Sequence, residues 1–232
     1  MRITPVSANS WRLTRYGLIN CYLVRESDGL TLIDTSLNGA AVDILAAAKS
    51  LASPIRRILL THAHVDHVGS ADALVAKLPG VTLAASERSL PLLSRPVDRS
   101  LLPSEPQESF RGGLPGIASK VTCGLKDREQ VGSLRCIATP GHIPGHFSFL
   151  DERDGTLFAG DALVAVGRLS ISGWTPWYFP LPRPIMWSKS LALASARNLL
   201  EYPIEGFACG HGPVRTGGLQ ALRHAVAAAE AW

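Results

Sequence analysis

The sequence predicts an α/β fold, and three observations carry that reading. Short apolar runs rich in branched residues alternate with segments of helical periodicity. Several runs end on His or Asp, and both halves of the chain share this plan. The chain has 232 residues, 46% hydrophobic and 18% charged, enough apolar content for one sizeable core and too little charge for disorder. Residues 1–232 are read as one domain.

The elements follow in order. Residues 20–24 and 30–33 read as strands joined by a turn at Asp28-Gly29. Ala41, Ile44, Leu45, Ala48 and Leu51 form an amphipathic stripe, and Asp34 could cap that helix or orient a neighbouring ligand. Pro54 bars its continuation. Residues 58–60 are a strand buried on both faces. The segment after it is read as a loop, Gly69 as the start of a helix running through Leu78, and residues 81–83 as the next strand. Residues 88–118 carry Pro91, Pro96, Pro103, Pro106 and Pro115 and read as one long irregular loop. Strands resume at 134–138, 147–150 and 157–159, the last after a turn at Asp154-Gly155. A helix near 187–200 is expected to place Trp187, Leu191 and Ala194 on one face. Residues 207–209 form a last short strand, and 219–229 a terminal helix with Leu222, Val226 and Ala229 in register.

Composition excludes several classes. The net charge is +4 and no basic run exceeds Arg56-Arg57, so the stripe of a nucleic-acid surface is missing. No apolar stretch reaches membrane-spanning length and residues 1–5 hold no apolar leader, so a cytoplasmic protein without membrane contact is expected. Cys21, Cys123, Cys136 and Cys209 form no CxxC and read as buried apolar thiols.

The segment His62-Ala63-His64-Val65-Asp66-His67 packs four metal-capable side chains into six residues directly after a strand. Three further candidates each follow their own apolar run: His142 in Thr139-Pro140-Gly141-His142, Asp161 in Phe158-Ala159-Gly160-Asp161, and His211 in Cys209-Gly210-His211. Imidazole and carboxylate are zinc ligands, and seven of them suffice for two adjacent ions. His146 lies outside the set as an orienting or structural residue, and His224 on the terminal helix is expected in solvent.

This order of motifs resembles the metallo-β-lactamase-fold hydrolase superfamily over about residues 20–212. The resemblance implies an αββα sandwich with a binuclear site at one edge of two sheets. It implies His62, His64 and His142 for one metal, Asp66, His67 and His211 for the other, and Asp161 between them. Two zinc ions are expected, with iron or manganese as alternatives. A water shared by two such ions deprotonates near neutral pH and attacks a carbonyl carbon. Asp66 is expected to relay a proton to the leaving group besides serving as a ligand, and Asp34 to orient one.

Departures from named subfamilies narrow the substrate. Asp161 stands where the main zinc β-lactamases carry Cys, and His64 where flavodiiron proteins carry Glu. Only residues 212–232 follow the last ligand, too few for the glutathione-holding domain of glyoxalase II. Val164 replaces the Tyr of quorum-quenching lactonases, and Gly167-Arg168-Leu169-Ser170 only begins like the matching segment of persulfide dioxygenases. The nearest likeness is to YflN-type and glyoxalase II-like bacterial metallo-hydrolases. A binuclear zinc hydrolase of a small ester, lactone or thioester is the expectation. Iron-dependent sulfur dioxygenation is the alternative enzyme, and a metal-stabilised binding module the non-catalytic one. The segment from Trp174 through Trp177, Tyr178 and Phe179 to Pro180 reads as an apolar substrate wall, with a homodimer contact or plain core packing as the alternatives.

Overall fold

The computed structural model describes residues 1–179 and 183–232. They form two compact units, Met1–Arg99 with Gly113–Leu125, and Ser100–Gly112 with Lys126–Trp232.

The first unit is built on a seven-stranded sheet in sequential order: β1 (Arg2–Pro5), β2 (Ser10–Arg15), β3 (Ile19–Glu26), β4 (Gly29–Ile33), β5 (Ile55–Leu60), β6 (Thr82–Ser86) and β7 (Cys123–Leu125). β1 to β4 form an antiparallel meander, and β4 to β7 run parallel. Parallel neighbours need crossovers. Helix α1 (Ala41–Ser50) supplies the first, and α2 (Val65–Val68) with α3 (Ala71–Lys77) the second; α4 (Leu90–Leu93) follows β6. β5 lies between two parallel partners, so Ile58, Leu59 and Leu60 are buried, as their unbroken apolar run requires.

Two expectations are corrected here. The segment after β5 is not a plain loop, because Val65–Val68 winds into a helical turn. Gly69 does not open the next helix. The Ser70 hydroxyl donates to Leu37 O (2.6 Å) and accepts from Ala40 N–H (2.9 Å), and α3 starts after that tie.

The second unit holds a six-stranded sheet in the order β15-β14-β11-β10-β9-β8. Its strands are β8 (Gln130–Val131), β9 (Leu134–Ala138), β10 (Phe147–Asp151), β11 (Thr156–Gly160), β14 (Gly206–Cys209) and β15 (Arg215–Thr216). Only β11 and β14 pair in parallel. A small ladder joins β12 (Leu163–Val164) to β13 (Ser170–Ile171). Helices α5 (Lys189–Asn198) and α6 (Gly218–Glu230) pack on a core that includes Leu150, Leu157, Phe207 and Leu222. The α6 stripe is as read, with Leu222, Val226 and Ala229 buried and His224 exposed.

The α5 register is corrected. Ser188 caps the helix, its hydroxyl accepting from Leu191 N–H (3.4 Å), so Trp187 lies before it. The buried face carries Ala192, Ser195 and Ala196, and Ala194 is exposed. Residues 88–118 are not one loop either. They begin with a 3₁₀ turn (Glu87–Ser89) and α4, and they divide between the two units. Cys21, Cys136 and Cys209 are buried and Cys123 is half-buried, all outside any disulfide. No helix among the described residues is long and apolar enough to cross a membrane.

Candidate metal centre

In the first unit the C-terminal end of β5 delivers Thr61 and His62, and the α2 turn folds the rest of the motif back on them. His67 N–H and Val68 N–H both bond His64 O (2.9 and 3.0 Å), which returns the His67 ring to within 4.0 Å of the His62 ring, centroid to centroid. His62 Nε2 and His64 Nδ1 stand 3.0 Å apart, and His67 Nε2 lies 3.7 Å from Asp66 Oδ2. All three imidazoles are buried, and the Asp66 side chain is 23% exposed, the one donor here that meets solvent.

Asp34 holds this set from behind. Its backbone takes a left-handed φ of 59°, uncommon outside glycine. From there Oδ1 accepts from Thr61 N–H (2.8 Å), and Oδ2 from Thr61 Oγ1 (2.8 Å) and His67 Nδ1 (2.7 Å). Thr35 grips the His67 carbonyl with its amide (2.7 Å) and hydroxyl (2.9 Å). Asp34 is therefore an orienting residue. It does not cap α1, whose N-cap position is Ala40 with no side-chain bond.

In the second unit, loops from β9, β11 and β14 carry His142, Asp161 and His211. Asp161 Oδ2 lies 3.6 Å from His142 Nε2 and 3.2 Å from His211 Nε2. His142 turns its other nitrogen, Nδ1, to Ser172 Oγ (3.2 Å). Gly141 sits tight beneath: it has φ 142°, and a Cβ there would overlap the backbone of Ala192 in α5. Ser188 N–H bonds Gly141 O (2.8 Å) and Ser195 Oγ bonds Pro140 O (2.7 Å), so α5 anchors the His142 loop.

His146 closes a hydrogen-bonded circuit under Asp161. The Asp161 N–H donates to His146 Nε2 (3.0 Å), which places the ring proton on Nδ1. Nδ1 then donates to Thr139 Oγ1 (2.8 Å), Thr139 to Ser148 Oγ (2.9 Å), and Ser148 to Ala159 O (3.2 Å). The circuit begins at Asp161 and ends two residues earlier, at Ala159 in β11, which fixes the turn that presents the carboxylate.

The donor set fits divalent cations. In His62, His67 and His142 one ring nitrogen bonds Thr61 (3.0 Å), Asp34 or Ser172, and the other faces a neighbouring donor. Fixing a ligand histidine through its outer nitrogen is how metal sites set tautomer and aim. No thiol belongs to the clustered donors among the described residues. Burial first, then the Asp34 carboxylate, push Cys21 far above the usual thiol range, and burial with Asp161 does the same to Cys209.

The model of the metallo-beta-lactamase superfamily matches residues 14–211. The chain belongs to that superfamily. Its fold is the metallo-β-lactamase fold, of the α/β class expected from the strand and helix pattern. The chain is 42% identical over 230 residues to the uncharacterized protein YobT of Bacillus subtilis (strain 168), covering 97% of each. It is 30% identical over 159 residues to hydroxyacylglutathione hydrolase GloC of Haemophilus influenzae, covering 64% of this chain and 68% of that one. Among solved structures, TTHA1623 in a di-iron-bound form is 26% identical with a TM-score of 0.67, over 91% of this chain and 96% of that one.

The aromatic segment divides. Phe179 is buried with its ring 5.7 Å from that of His211. Trp174 packs on the second unit's core, and Trp177 and Tyr178 are 81% and 55% exposed. These three line hollows that contain none of the seven candidate ligands. Pro180 lies outside the described residues. Sequence reading missed Thr61, Thr139, Ser148 and Ser172. The first two adjoin recognisable motifs, whereas nothing local marks Ser148 or Ser172.

Proposed function

We propose that the chain is a binuclear metal hydrolase of small esters, lactones or thioesters. In this reading His62, His64 and His142 hold one ion, Asp66, His67 and His211 the other, and Asp161 is shared. The observation that carries it is the preparation of donors: buried imidazoles held through their outer nitrogens by Thr61, Asp34 and Ser172. Holding an imidazole through its outer nitrogen while the inner one faces other donors is the arrangement of metal-ligating histidines. Superfamily membership supports the same reading.

Bound cations would supply Lewis acidity to a carbonyl oxygen and an acidified water. The chain's own groups do the rest. Asp161 offers one oxygen between two imidazole nitrogens, the placement a shared carboxylate needs. Asp66, the solvent-reaching carboxylate, accepts a proton at Oδ2 as water adds and returns it to the leaving oxygen or sulfur. Ester and water become acid and alcohol, with no redox change. Phe179, packed on His211, contributes the apolar wall beside that ligand.

The name of the Haemophilus relative keeps hydroxyacylglutathione among the thioesters to test, against the expectation drawn from the short segment after His211. The di-iron form of TTHA1623 keeps iron beside zinc among the metals to test, and the iron-dependent sulfur dioxygenase is the alternative reading. The test is one panel on protein reconstituted separately with zinc and iron: aryl acetates, simple lactones, hydroxyacylglutathione, and glutathione persulfide with oxygen uptake. Ester, lactone or thioester turnover supports the proposal. Oxygen uptake without hydrolysis in the panel overturns it.

A further inference from the structure

The second unit carries a hollow, distinct from the donor set, built from aromatic rings and cations. One cavity, of about 320 Å³, is lined by Arg168, Trp174 and His224 among others. A second, of about 350 Å³, is lined by Trp177, Tyr178 and Arg183. Arg168 and Trp232 line both, so the two adjoin. Each is in the size range of small-molecule pockets.

The side-chain charge is one-sided. No carboxylate side chain lines either cavity among the described residues. Arg168 has no ion-pair partner among them, and Glu230, the acid of α6, is held by Arg197 (2.7 Å). Lys189 lies 5.3 Å from the Trp174 ring centre and 5.7 Å from that of Trp232, and Arg183 stacks on Trp232 at 4.7 Å. Arg183 donates to Thr175 O, yet its buried Nε–H meets no acceptor among the described residues, and neither the donor nor the acceptor side of the Ser170 hydroxyl is used.

The setting is also pre-organised. Arg215 donates to Ala165 O (3.0 Å) and Gly167 O (2.6 Å), fixing the loop that presents Arg168. The Tyr178 phenol lies against Gly167, where any side chain would overlap it. Indole faces recognise flat rings, and an arginine without a protein carboxylate recognises a carboxylate, sulfonate or phosphate.

We propose that this hollow is a second small-molecule site, which takes an organic anion carrying an aromatic ring. The proposal does not depend on the metal centre. The probe is 8-anilinonaphthalene-1-sulfonate, followed by its fluorescence on the metal-loaded protein, with neutral N-phenyl-1-naphthylamine as the uncharged control. Arg168→Gln removes the cation that lines both cavities. Ala228→Trp fills the cavity from the exposed face of α6. The sulfonate is expected to bind the parent protein and to weaken at least ten-fold in each variant. The neutral probe is expected to bind more weakly and to ignore Arg168→Gln. Turnover at the metal centre stays at the parent level in both variants. Sulfonate binding that survives both substitutions, or neutral-probe binding that equals it, overturns the proposal. So does a loss of turnover in Arg168→Gln that tracks the loss of binding, because the ligand would then belong to the metal centre.

Discussion

His146→Leu isolates the circuit beneath Asp161. Leucine is close to imidazole in size, so little cavity forms. What is lost is polar. The Asp161 N–H is buried, and without Nε2 it has no acceptor in that direction, at about 1–3 kcal/mol. Thr139 Oγ1 loses one bond while keeping Ser148, at about 0.5–1.5 kcal/mol. The sum is about 1.5–4.5 kcal/mol. Urea unfolding of parent and variant, each metal-loaded and each metal-stripped, reads it. The stripped pair reports the circuit alone. The loaded pair should show a further deficit, because Asp161 is then held less firmly for its ions. His146→Gln, whose amide can accept from Asp161 and donate to Thr139, should recover at least half of the loss. A leucine variant within 0.5 kcal/mol of the parent in both states would refute the reasoning.

Three further outcomes are expected. Asp34→Ala strips Thr61 and His67 Nδ1 of their acceptor and should weaken metal retention against a competing chelator by about 10–100-fold, with helix content unchanged in circular dichroism. Gly141→Ala drives a methyl group into the backbone of α5 and should cost about 2–4 kcal/mol by urea unfolding, adding overpacking to strain at positive φ. Asp72 is pulled below its ordinary carboxylate range: burial raises it, but the amides of Ala118 (3.0 Å) and Ser119 (2.8 Å), then Arg95, more than offset that. A depressed folded-state pKa adds stability above the unfolded value and loses it as pH falls through the folded one. The gap in urea midpoint between parent and Asp72→Asn should therefore shrink from pH 7 to pH 3.

The strands that end in ligands were legible because they are buried on both faces and must read as continuous apolar runs, as residues 58–60 and 157–159 do. β1 and β2 were not, since Arg2–Pro5 and Ser10–Arg15 leave polar residues on a partly exposed meander. Ladders of two residues, such as β12 and β13, carry no period to detect. The α5 register slipped because Trp187 is apolar and buried, although its amide bonds His142 O outside the helix (3.1 Å), and the capping signal at Ser188 was passed over. The donors were legible from residue type and spacing. Their supports were less so. Asp34 and His146 could be marked only as orienting or structural alternatives, because a hydrogen bond across 33 residues, as from His67 to Asp34, leaves no local pattern. Dense aromatics around 174–179 showed an unusual surface, but sequence could not say that Phe179 turns to His211 while Trp177 and Tyr178 turn to Arg168 and Arg183.

The proposed function requires that His62, His64, Asp66, His67, His142, Asp161 and His211 hold two hydrolytic cations. Its most direct measurement is metal content by mass spectrometry of the full chain after exchange with zinc, paired with aryl ester turnover, for the parent and for Asp161→Asn. The account predicts two equivalents with turnover in the parent, and in the variant fewer than two with turnover down at least a hundred-fold. One equivalent in the parent, or two equivalents with undiminished turnover in the variant, would contradict it.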